Sequence, residues 1–494
     1  MLILIFYLNK GKLNMKTIGV YPTRIEISPY KEGDYPDVER LCSTEYYRNL
    51  HRRLPIGYRI VDNVLYIPRG INIQYLVNKT GSVPTMYKGD KFLPMKKEYK
   101  ITSPPRNENQ KEAIQFLLGE GEHEKTKRYA QLALIVQPGF GKTYCATAGM
   151  IGLKRKTIII LHRDTIREQW LSTFRERTTI DMKRVCEIQG SELMKDLSEP
   201  KNIMKYDIYL VLHQTIGSYQ RTYGADGLRE WFDKMGFGLK IVDEVHYCFQ
   251  QTIETDFCSN VDKNFYLTAT FTRSDPKEVN IFKRVFGNTM RFGEDLDLNK
   301  NVIYNIVYYN SNPSSVEQAG IKTYQGVSSA RFADYAFERD PYATIYSVFF
   351  RVLKVALSHE GKIIIVIPKI DYCERIASLI QKEYPHVRVG TMHSKNTKKH
   401  NASVKEHAEI IVSTIASLGT GADIEKIRTL IIMEPYSSKV TAKQLSGRLR
   451  PYGNNEDSFV YEIVDSGFGS IVSMINRRSG YLKKICKEVK AYNT

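Results

Sequence analysis

Two successive sets of short, almost entirely apolar runs limit the fold of this 494-residue chain more than any other feature. The first set lies at 132–136, 157–161, 208–212, 239–243 and 265–269. The second set lies at 299–310, 362–367, 387–392, 409–414, 429–434 and 458–465. Runs that are apolar on both faces are typical of parallel strands covered by helices. The sequence therefore predicts an α/β protein with two parallel-sheet units in tandem.

The first hundred residues differ from the rest, because they carry 17 Lys and Arg against nine Asp and Glu and hold 11 of the 33 tyrosines. Alternating runs at 59–68 and 71–77 predict strands of a small β-rich or α+β domain. The stretch 43–60 is typical of a helix followed by a turn and a strand. Basic residues among aromatic ones suit contact with phosphates and stacking on bases. A small sheet core of tyrosines with a solvated basic rim explains this composition equally well.

Composition and periodicity indicate three domains along the chain. The paired prolines in the polar stretch 100–110 predict a linker that ends near Pro105. We expect a basic, Tyr-rich accessory domain at 1–105, a nucleotide-binding domain at 106–300 and a second α/β domain at 301–494. The tail 470–494 is typical of a basic amphipathic helix. Its apolar stripe would comprise Ile471, Met474, Ile475, Leu482 and Ile485.

The net charge of +18 favours a polyanionic partner, and nucleic acid ahead of a membrane surface. No run approaches the roughly 20 apolar residues that cross a bilayer, so we expect no membrane span. The apolar stretch 1–8 is too short for a signal peptide and has no basic residues before it, which predicts a cytoplasmic location. Both Met1 and Met15 could be the start of the protein.

The stretch 136–143 ("VQPGFGKT") has the composition of a phosphate-binding loop. Glycines let backbone N–H groups wrap phosphates, a lysine reaches the β- and γ-phosphates, and a Ser or Thr hydroxyl holds Mg²⁺. Gly139, Gly141, Lys142 and Thr143 supply these groups, whereas Val136 occupies the place of the expected first glycine. An apolar strand before the loop and a small-residue helix after it are the context that this loop requires.

An acidic pair follows another apolar strand about a hundred residues later. Asp243 and Glu244 stand at the carboxyl end of that strand, which is where ligands bind in open α/β sheets. An aspartate there can hold Mg²⁺, and a neighbouring glutamate can orient and polarise an attacking water. We therefore expect Thr143 and Asp243 to be the metal ligands and Lys142, Asp243 and Glu244 to be catalytic.

The stretches 139–143 ("GFGKT") and 243–246 ("DEVH") resemble motifs I and II of superfamily 2 helicases. The remaining motifs follow in order. The similar stretches are 106–114 for the Q motif, 157–170 for motif Ia, 211–218 for motifs Ib and Ic, 267–271 for motif III, 363–369 for motif IV, 412–424 for motif V and 444–453 for motif VI. The resemblance implies two tandem RecA-like domains that use ATP and Mg²⁺.

The resemblance also implies roles for individual residues. Gln110 would contact the adenine edge, and the further nucleotide-binding residues would be Pro138, Gly139, Gly141, Lys142, Thr143, Gly421, Asp423 and Gln444. An arginine, either Arg448 or Arg450, would stabilise charge on the γ-phosphoryl group. The choice stays open because Pro451 stands where motif VI usually has its second arginine. His246 would couple the ATP site to motif III through Thr268 or Thr270. Contacts with the nucleic-acid backbone would come from Arg163, Gln214, Thr215 and Thr414.

Within the superfamily, this motif set with a short basic N-terminal domain is similar to phage branch-migration helicases of the UvsW type. More broadly it resembles XPB- and RecG-like DNA motors and the poxvirus transcript-release helicase. The resemblance implies a monomeric, ATP-driven DNA helicase that remodels forks, displacement loops and Holliday junctions in phage-type replication, recombination or repair. It implies the host cytoplasm as location when the chain is phage-encoded, and no small-molecule substrate other than ATP. An RNA-directed ATPase or transcript-release helicase, and a duplex-DNA translocase subunit without strand separation, remain alternatives.

Overall fold

A computed structural model describes residues 16–47, 52–55, 57–136, 139–269, 276–293, 301–324, 326–418, 424, 426–449 and 457–494. These residues form two compact units, of which the first comprises the described residues up to 136 and from 140 to 293, and the second comprises residue 139 and the described residues from 301 onward. The first unit holds the N-terminal residues, Val136 and residues 140–143 of the phosphate-loop stretch, and the acidic pair, whereas the second holds Gly139 and the later motifs. No helix within the described ranges is long and apolar enough to cross a membrane.

The N-terminal residues build a small mixed sheet. Its strands and the adjoining hairpin are β1 (Thr17–Val20), β2 (Arg24–Ser28), β3 (Ser43–Tyr47), β4 (Arg52–Pro55), β5 (Arg59–Val61), β6 (Val64–Pro68) and β7 (Pro84–Met86). The sheet order is β5-β6-β2-β1-β7, and every pairing is antiparallel except that of β1 with β7. Ile25, Ile27 and Leu65 are fully buried beneath it. The predicted β-rich character of the N-terminal residues is confirmed, while their separation as a domain of their own stays a prediction.

Two local predictions for this region were wrong. The run 71–77 is not a strand, because residues Ile73–Thr80 form a helix. The Asn72 side chain accepts hydrogen bonds from the N–H groups of Gln74 and Tyr75, and Gly81 ends the helix with a left-handed φ of 69°. The stretch 43–60 does not begin with a helix either, because β3 pairs with β4 as an antiparallel hairpin. Its two strands satisfy each other's backbone groups, so no helix is needed there.

The first parallel sheet has seven strands. They are β8 (Gln131–Ile135), β9 (Thr157–Leu161), β10 (Val185–Ile188), β11 (Ile208–Leu212), β12 (Leu239–Asp243), β13 (Lys263–Thr268) and β14 (Met290–Phe292). The order is β10-β11-β9-β12-β13-β8-β14, and all pairings are parallel. Strands β8, β9 and β12 are buried at every position, because helices cover both faces. All five apolar runs of the first set are therefore strands, as predicted.

The helices of the first unit lie in the N-terminal region, just before β8, and in the connections between the strands of the parallel sheet. They are α1 (Pro36–Leu41), α2 (Ile73–Thr80), α3 (Glu108–Leu118), α4 (Lys142–Leu153), α5 (Asp164–Arg177), α6 (Ser191–Leu197), α7 (His213–Met235), α8 (Phe249–Cys258) and α9 (Pro276–Val285), with 3-10 turns at Gly121–Arg128 and Met182–Arg184. Every connection between consecutive strands thus returns the chain to the same end of the sheet, as parallel pairing requires.

The N-terminal sheet packs tightly on the first parallel-sheet domain. A β-carbon at Gly70 would lie 2.1 Å from the Arg284 carbonyl oxygen, so only glycine allows this backbone approach. Thr23 Oγ1 lies 2.8 Å from the carbonyl oxygens of both Asp256 and Ser259, at the carboxyl end of α8, so its hydroxyl donates to this pair. Arg24 adds a hydrogen bond of 3.0 Å to the Ser259 carbonyl. The accessory sheet is therefore fixed to α8 by buried polar contacts.

The stretch 100–110, predicted as a linker, is also held against the parallel-sheet domain. Ile101 forms a β-bridge with Thr178, and the Thr102 N–H donates to the Arg177 carbonyl at 2.9 Å. Upstream, the Tyr99 hydroxyl donates to the buried Asp207 carboxylate at 2.7 Å. These contacts satisfy backbone groups that a free linker would leave to water.

The second unit contains another seven-stranded parallel sheet. Its strands, with a small hairpin at β16 and β17, are β15 (Val302–Tyr309), β16 (Lys322–Thr323), β17 (Gly326–Val327), β18 (Lys362–Val366), β19 (Val389–Met392), β20 (Ile410–Ser413), β21 (Ile427–Ile432), β22 (Ser458–Asp465) and β23 (Glu488–Asn493). The sheet order is β19-β20-β18-β21-β22-β15-β23. The helices are α10 (Ser315–Gly320), α11 (Ser329–Asp334), α12 (Thr344–Ala356), α13 (Ile370–Glu383), α14 (Lys398–His407), α15 (Ile415–Leu418), α16 (Lys439–Ser446) and α17 (Gly469–Ile485), with a π-helical turn at Tyr335–Arg339. Two tandem RecA-like parallel-sheet domains after a β-rich N-terminal sheet confirm the predicted fold class.

The C-terminal tail was predicted only in part. Helix α17 buries Ile471, Ile475 and Leu482 as expected, but it ends at Ile485. The last residues form β23, which pairs in parallel with β15 and completes the sheet. Inside this unit, the guanidinium of Arg478 is fully buried, donates to Glu462 and stacks 3.7 Å from the Tyr436 ring. This ion pair locks α17 onto the sheet.

Candidate active site

The carboxyl ends of three adjacent strands gather most of the predicted catalytic residues of the first unit. Strands β12, β13 and β8 are neighbours in the sheet, and they lead into the acidic pair, Thr268 and the phosphate-loop stretch respectively. Because all strands run in parallel, these three segments emerge at one edge. The structure therefore brings together residues that are far apart in the sequence, as the strand-end argument predicted.

The phosphate-loop stretch has the backbone that wrapping a phosphate requires. Gly139 and Gly141 have φ angles of 82° and 96°, which strain any residue other than glycine. Helix α4 begins at Lys142, and its N-cap residue Gly141 provides no side-chain cap for the N-terminal N–H groups. Thr143 is buried in the first turn. A helix terminus of this kind offers N–H groups and a positive dipole to an anion.

Val136 takes no part in that wrapping, because it prolongs the strand. Its N–H donates to the Thr268 carbonyl at 3.1 Å, which continues the pairing of β8 with β13. Its side chain is only 1% exposed, and a β-carbon at Gly293 would lie 2.5 Å from Val136 Cγ1. The valine at the usual glycine position is therefore a core residue that continues the strand.

Gln110 lies beneath the phosphate loop and is 1% exposed. Its Nε2 donates to the Phe140 carbonyl at 2.5 Å, and its Oε1 accepts the Arg106 N–H at 2.8 Å. Arg106 Nη2 also donates to the Phe140 carbonyl, at 3.1 Å. The structure thus places Gln110 as a brace of the loop, while its predicted contact with the adenine edge remains a prediction.

The acidic pair sits in a strained turn directly after β12. Glu244 has a φ of 50°, in the left-handed region that costs a non-glycine residue about 1–2 kcal/mol. Such strain persists only where the surrounding structure imposes it, and it is concentrated at functional sites. The Val245 N–H donates to the Leu267 carbonyl at 3.2 Å, which ties the turn to β13. The turn thereby fixes the backbone from which the carboxylates of Asp243 and Glu244 project.

The two carboxylates also differ electrostatically. Burial raises the pKa of Asp243 to about 6. Burial acts in the same direction on Glu244, but the ammonium of Lys142, 3.3 Å from Oε1, outweighs it together with the imidazoles of His246 and His162, so the pKa of Glu244 lies below its ordinary range. Glu244 is therefore ionised at neutral pH, as a group that accepts a proton from water must be.

His246 links this turn to the strand of motif III. Its Nδ1 lies 2.8 Å from Thr268 Oγ1 and 3.3 Å from Glu244 Oε2. Both His246 and Thr268 are buried, so the link is shielded from water. The Thr268 carbonyl also accepts the Val136 N–H, which connects the phosphate-loop strand to the same residue. The predicted pairing of His246 with Thr268 is present, whereas Thr270 lies outside the described residues.

Trp170 is a functional candidate that the sequence patterns did not single out. It is fully buried on α5, and its indole Nε1 donates to Asp243 Oδ2 at 2.9 Å. A second unpredicted contact is the stack of His162 on Tyr247, with ring centroids 4.8 Å apart. Both join the segment after β9 to the acidic turn. The only sequence signal was the place of Trp170 and His162 within the motif Ia stretch.

The donor set of the site suits magnesium. Mg²⁺ prefers oxygen ligands, takes one or two from carboxylates and shares the rest with substrate phosphates and water. The Asp243 carboxylate ends β12, and the Thr143 hydroxyl lies in the first turn of α4, so both belong to the edge that the phosphate loop lines. The N–H of Trp170 engages Oδ2, which makes the two carboxylate oxygens of Asp243 inequivalent.

The predicted nucleic-acid residues of the first unit lie at the same edge, on neighbouring strands. Arg163 is exposed and precedes α5 after β9, and Gln214 is exposed and Thr215 half-buried in the first turn of α7 after β11. Strands β9 and β11 adjoin each other, and β9 adjoins β12. The first unit therefore presents these polar side chains beside the phosphate loop and the acidic pair, at one edge of the sheet.

In the second unit, Thr414 follows β20 at the corresponding sheet edge, where its Oγ1 lies 3.0 Å from Ser417 Oγ. Arg448 is half-buried just after α16, and its N–H donates to the Leu445 carbonyl at 3.1 Å. Gln444 belongs to α16. The other predicted residues lie outside the described residues, and they are Pro138, Gly421, Asp423 and Arg450.

Two family models match the chain. The model described as "Type III restriction enzyme, res subunit" matches residues 104–273, and "Helicase conserved C-terminal domain" matches residues 347–451. Together they cover more than half of the chain, one on each parallel-sheet domain. The chain is a superfamily 2 helicase. The helicase is therefore an ATP-hydrolysing enzyme, and the identification made from its motifs is confirmed.

The following proteins are similar to the helicase at low sequence identity. "Putative ATP-dependent RNA helicase L396" of Acanthamoeba polyphaga mimivirus is 22% identical over 99% of this chain and 85% of that protein. The XPB helicase/translocase subunit of Danio rerio transcription and repair factor IIH is 27% identical over 31% of this chain, and the match spans 19% of XPB. The crystal structure of T4 UvsW is similar over 97% of this chain and 99% of UvsW, at 15% identity and a TM-score of 0.37.

Proposed function

We propose that the protein is an ATP-dependent DNA helicase or translocase that remodels branched DNA, such as forks, displacement loops and Holliday junctions, in phage-type replication, recombination or repair in the host cytoplasm. One observation carries the proposal. The phosphate loop, the acidic turn and the exposed Arg163 and Gln214 share one edge of the first parallel sheet. A nucleotide bound there would be next to the groups that hold the nucleic-acid backbone.

In the proposed hydrolysis, Lys142 binds the β- and γ-phosphates, and Thr143 and Asp243 hold the metal. When bound, Mg²⁺ neutralises charge on the phosphates. Glu244 orients the attacking water and accepts its proton, because its carboxylate stays ionised beside Lys142. His246 passes the state of this turn to Thr268 through their 2.8 Å contact. Gly139 and Gly141 wrap the phosphates through their backbone, and Pro138 is proposed as a further nucleotide contact from its place in the motif alone.

The remaining roles in the second unit follow from the motif resemblance. We propose that Gly421, Asp423 and Gln444 contact the nucleotide, and that Arg448 or Arg450 stabilises charge on the transferring phosphoryl group. Replacing each arginine singly with alanine distinguishes them. The variant that lacks the arginine acting on the phosphoryl group should turn over ATP about 10³-fold or more slowly, with unchanged DNA affinity. In other NTPases, removal of such an arginine lowers the turnover by roughly 10³–10⁵-fold. If neither variant loses turnover, the proposed role of both is wrong.

Binding to DNA is supported by the charge of +18 and by an exposed patch on the N-terminal sheet. Tyr87 is 48% exposed and stacks on Tyr21 with ring centroids 4.6 Å apart. Lys88 and Lys91 are exposed beside it. A flat aromatic face with flanking lysines suits base stacking and phosphate contact. Because this sheet is fixed to α8, we propose that it meets the branch while Arg163, Gln214, Thr215 and Thr414 grip the backbone.

A matched pair of tyrosines tests that patch. Tyr87→Ala should weaken binding to a fork or four-way junction by about 5–150-fold, because stacking of one base is worth about 1–3 kcal/mol. Tyr324→Ala is the control, because Tyr324 is fully exposed in the second unit and belongs to no predicted motif. Equal losses in both variants, or no loss at Tyr87, would contradict a stacking role for the N-terminal sheet.

The activity is tested by measuring ATP hydrolysis and strand separation on a fork, a four-way junction, a displacement loop, linear duplex DNA and duplex RNA. Branched DNA should give the highest turnover and unwinding. Lys142→Ala should abolish hydrolysis while DNA binding persists, whereas Lys127→Ala, which removes an exposed lysine paired with Glu124 outside every motif, should leave both unchanged. Retained hydrolysis in Lys142→Ala would refute the phosphate-loop assignment.

Two alternatives have specific support. The relative that matches nearly the whole chain is named as an RNA helicase, which favours an RNA-directed ATPase. The restriction-enzyme family model favours a duplex-DNA translocase that does not separate strands. Unwinding of duplex RNA in preference to every DNA substrate would establish the first. Hydrolysis stimulated by linear duplex DNA without any strand separation would establish the second.

A further inference from the structure

Trp170 connects two segments to which the proposed function gives different tasks. It lies on α5, whose preceding residue Arg163 is assigned to the nucleic-acid backbone. Its indole N–H reaches Asp243, which is assigned to magnesium, at 2.9 Å. About seven residues of helix, or roughly 10 Å, separate Arg163 from Trp170. One rigid helix therefore joins a nucleic-acid contact to the metal carboxylate.

The hydrogen bond between Trp170 and Asp243 is buried and has a fixed direction. Trp170 is fully buried and Asp243 is 4% exposed, so water cannot replace either partner. An indole N–H can only donate, so the polarity of the bond is fixed whatever else binds the carboxylate. Because the acceptor is an ionisable group, such a bond is stronger than one between neutral partners. It fixes Oδ2 and thereby sets the plane of the carboxylate.

The ring itself is held in place by its neighbours. The Phe174 ring lies one turn further along α5, with its centroid 6.0 Å from that of Trp170 in an edge-on arrangement. Leu171 and Ile166 are buried on the same helix. The donor therefore has little freedom to turn away from Asp243. Residues that orient a metal ligand in this way often change metal affinity by 10–100-fold when replaced.

We propose that Trp170 is a positioning residue that orients the Asp243 carboxylate for Mg²⁺ and couples that orientation to the nucleic-acid segment at the start of α5. The proposal rests on the proposed function, because that function assigns Asp243 to the metal. Trp170 touches neither nucleotide nor metal in this role. It acts through Asp243, and a shift of α5 caused by nucleic acid would reach the metal carboxylate through its indole.

The chain has two tryptophans, and the second is a matched control. Trp231 is also buried, and its Nε1 donates to the Met194 carbonyl at 2.6 Å, away from the acidic turn. Trp170→Phe and Trp231→Phe each remove one buried indole donor and keep an aromatic ring. Binding of Mn²⁺ to each full-length protein with a non-hydrolysable ATP analogue is measured by electron paramagnetic resonance. The dependence of ATPase rate on Mg²⁺ is measured in parallel, with and without DNA.

We expect Trp170→Phe to weaken Mn²⁺ binding by about 10–100-fold and to raise the Mg²⁺ concentration for half-maximal turnover by a similar factor. Excess Mg²⁺ should restore much of the turnover, but DNA should stimulate it less than in the wild type. Trp231→Phe should leave metal affinity, Mg²⁺ dependence and DNA stimulation unchanged. Equal metal affinities in the two variants would overturn the proposal.

A fluorescence measurement keeps the proposal testable if Trp170→Phe fails to fold. In Trp231→Phe, Trp170 is the sole indole, and Mn²⁺ bound with the nucleotide analogue should quench its emission. In Trp170→Phe, should it fold, the remaining Trp231 should be quenched much less. Absence of quenching in Trp231→Phe overturns the proposal. Asp243→Asn distinguishes a failure of the proposed function from a failure of the role of Trp170. If this variant keeps its Mn²⁺ affinity, the assignment of Asp243 to the metal is wrong, irrespective of the results for the two tryptophans.

Discussion

The buried ion pair between Lys240 of β12 and Asp256 of α8 allows a quantitative prediction of stability. Lys240 and Asp256 have side chains that are 0% and 4% exposed, and Lys240 Nζ donates to Asp256 Oδ1 and Ser259 Oγ, each at 2.6 Å. Tyr266 donates to Asp256 Oδ2 at 2.8 Å. Replacing Lys240 with methionine leaves a buried carboxylate with one hydroxyl donor. Loss of one partner of a buried pair costs about 3–5 kcal/mol.

Protonation of Asp256 limits the cost of removing Lys240, because a protonated carboxyl is neutral. With an unfolded pKa near 3.9, the free energy of protonating the carboxylate is about 4 kcal/mol at pH 7 and about 1.5 kcal/mol at pH 5. In the variant the folded state binds the extra proton, so stability falls as pH rises. Lys240→Met should therefore lose about 3–4 kcal/mol at pH 7 but only about 1.5 kcal/mol at pH 5. The double variant Lys240→Met with Asp256→Asn should recover at least half of the loss at pH 7.

Tryptophan fluorescence is the appropriate assay, because both tryptophans lie in the first unit and report its unfolding in urea. Lys234→Met is the control, since Lys234 is 52% exposed and pairs with Glu230 on the surface of α7. The control should change the free energy of unfolding by less than about 0.5 kcal/mol. A loss below about 1 kcal/mol at pH 7 in Lys240→Met, or a loss that does not shrink at pH 5, would refute the argument from burial.

Two further predictions concern the same unit. Burial lowers the pKa of His213 from its ordinary 6.5 to about 3, so the unfolded state binds more protons between these values and stability falls as pH drops through that range. His213→Gln should remove about 2 kcal/mol of the difference in unfolding free energy between pH 7.5 and pH 5, and an unchanged acid limb in urea titrations would contradict it. Gly70→Ala should lower the free energy of unfolding by about 1–3 kcal/mol and make the N-terminal sheet sensitive to limited proteolysis, because the new β-carbon meets the Arg284 carbonyl. Gly81→Ser is the comparison, because a β-carbon there has no atom within 4 Å and the variant measures only the effect of replacing a glycine of left-handed φ.

The sequence specified the parallel strands well, because a strand covered on both faces must be apolar along its whole length. Thr157–Leu161 and Leu239–Asp243 coincide with their predicted runs. The strand-end position of Asp243 then followed from topology alone. The same reasoning places the phosphate loop and the acidic pair at one edge of the sheet. Local composition and strand order together were sufficient for this part of the site.

Local patterns misled where capping and pairing decided the structure. The helix Ile73–Thr80 has an Asn before it and a Gly after it, signals that outweigh the apparent alternation in the run 71–77. The final strand Glu488–Asn493 forms only because β15 offers an open edge. The contact between Trp170 and Asp243 spans 73 residues, and nothing in either local stretch encodes it. Such contacts arise from the packing of α5 on the sheet.

Helix α8 has a consequence for any exchange of accessory domains between helicases of this kind. Its first residue follows the acidic turn closely, and the carbonyls of Asp256 and Ser259 at its far end bind Thr23 and Arg24. A grafted N-terminal domain would have to bring a hydroxyl and a guanidinium to these two positions, or leave the carbonyls buried and bare. A chimera whose N-terminal domain lacks these two side chains is therefore expected to displace α8, the helix that follows the acidic turn.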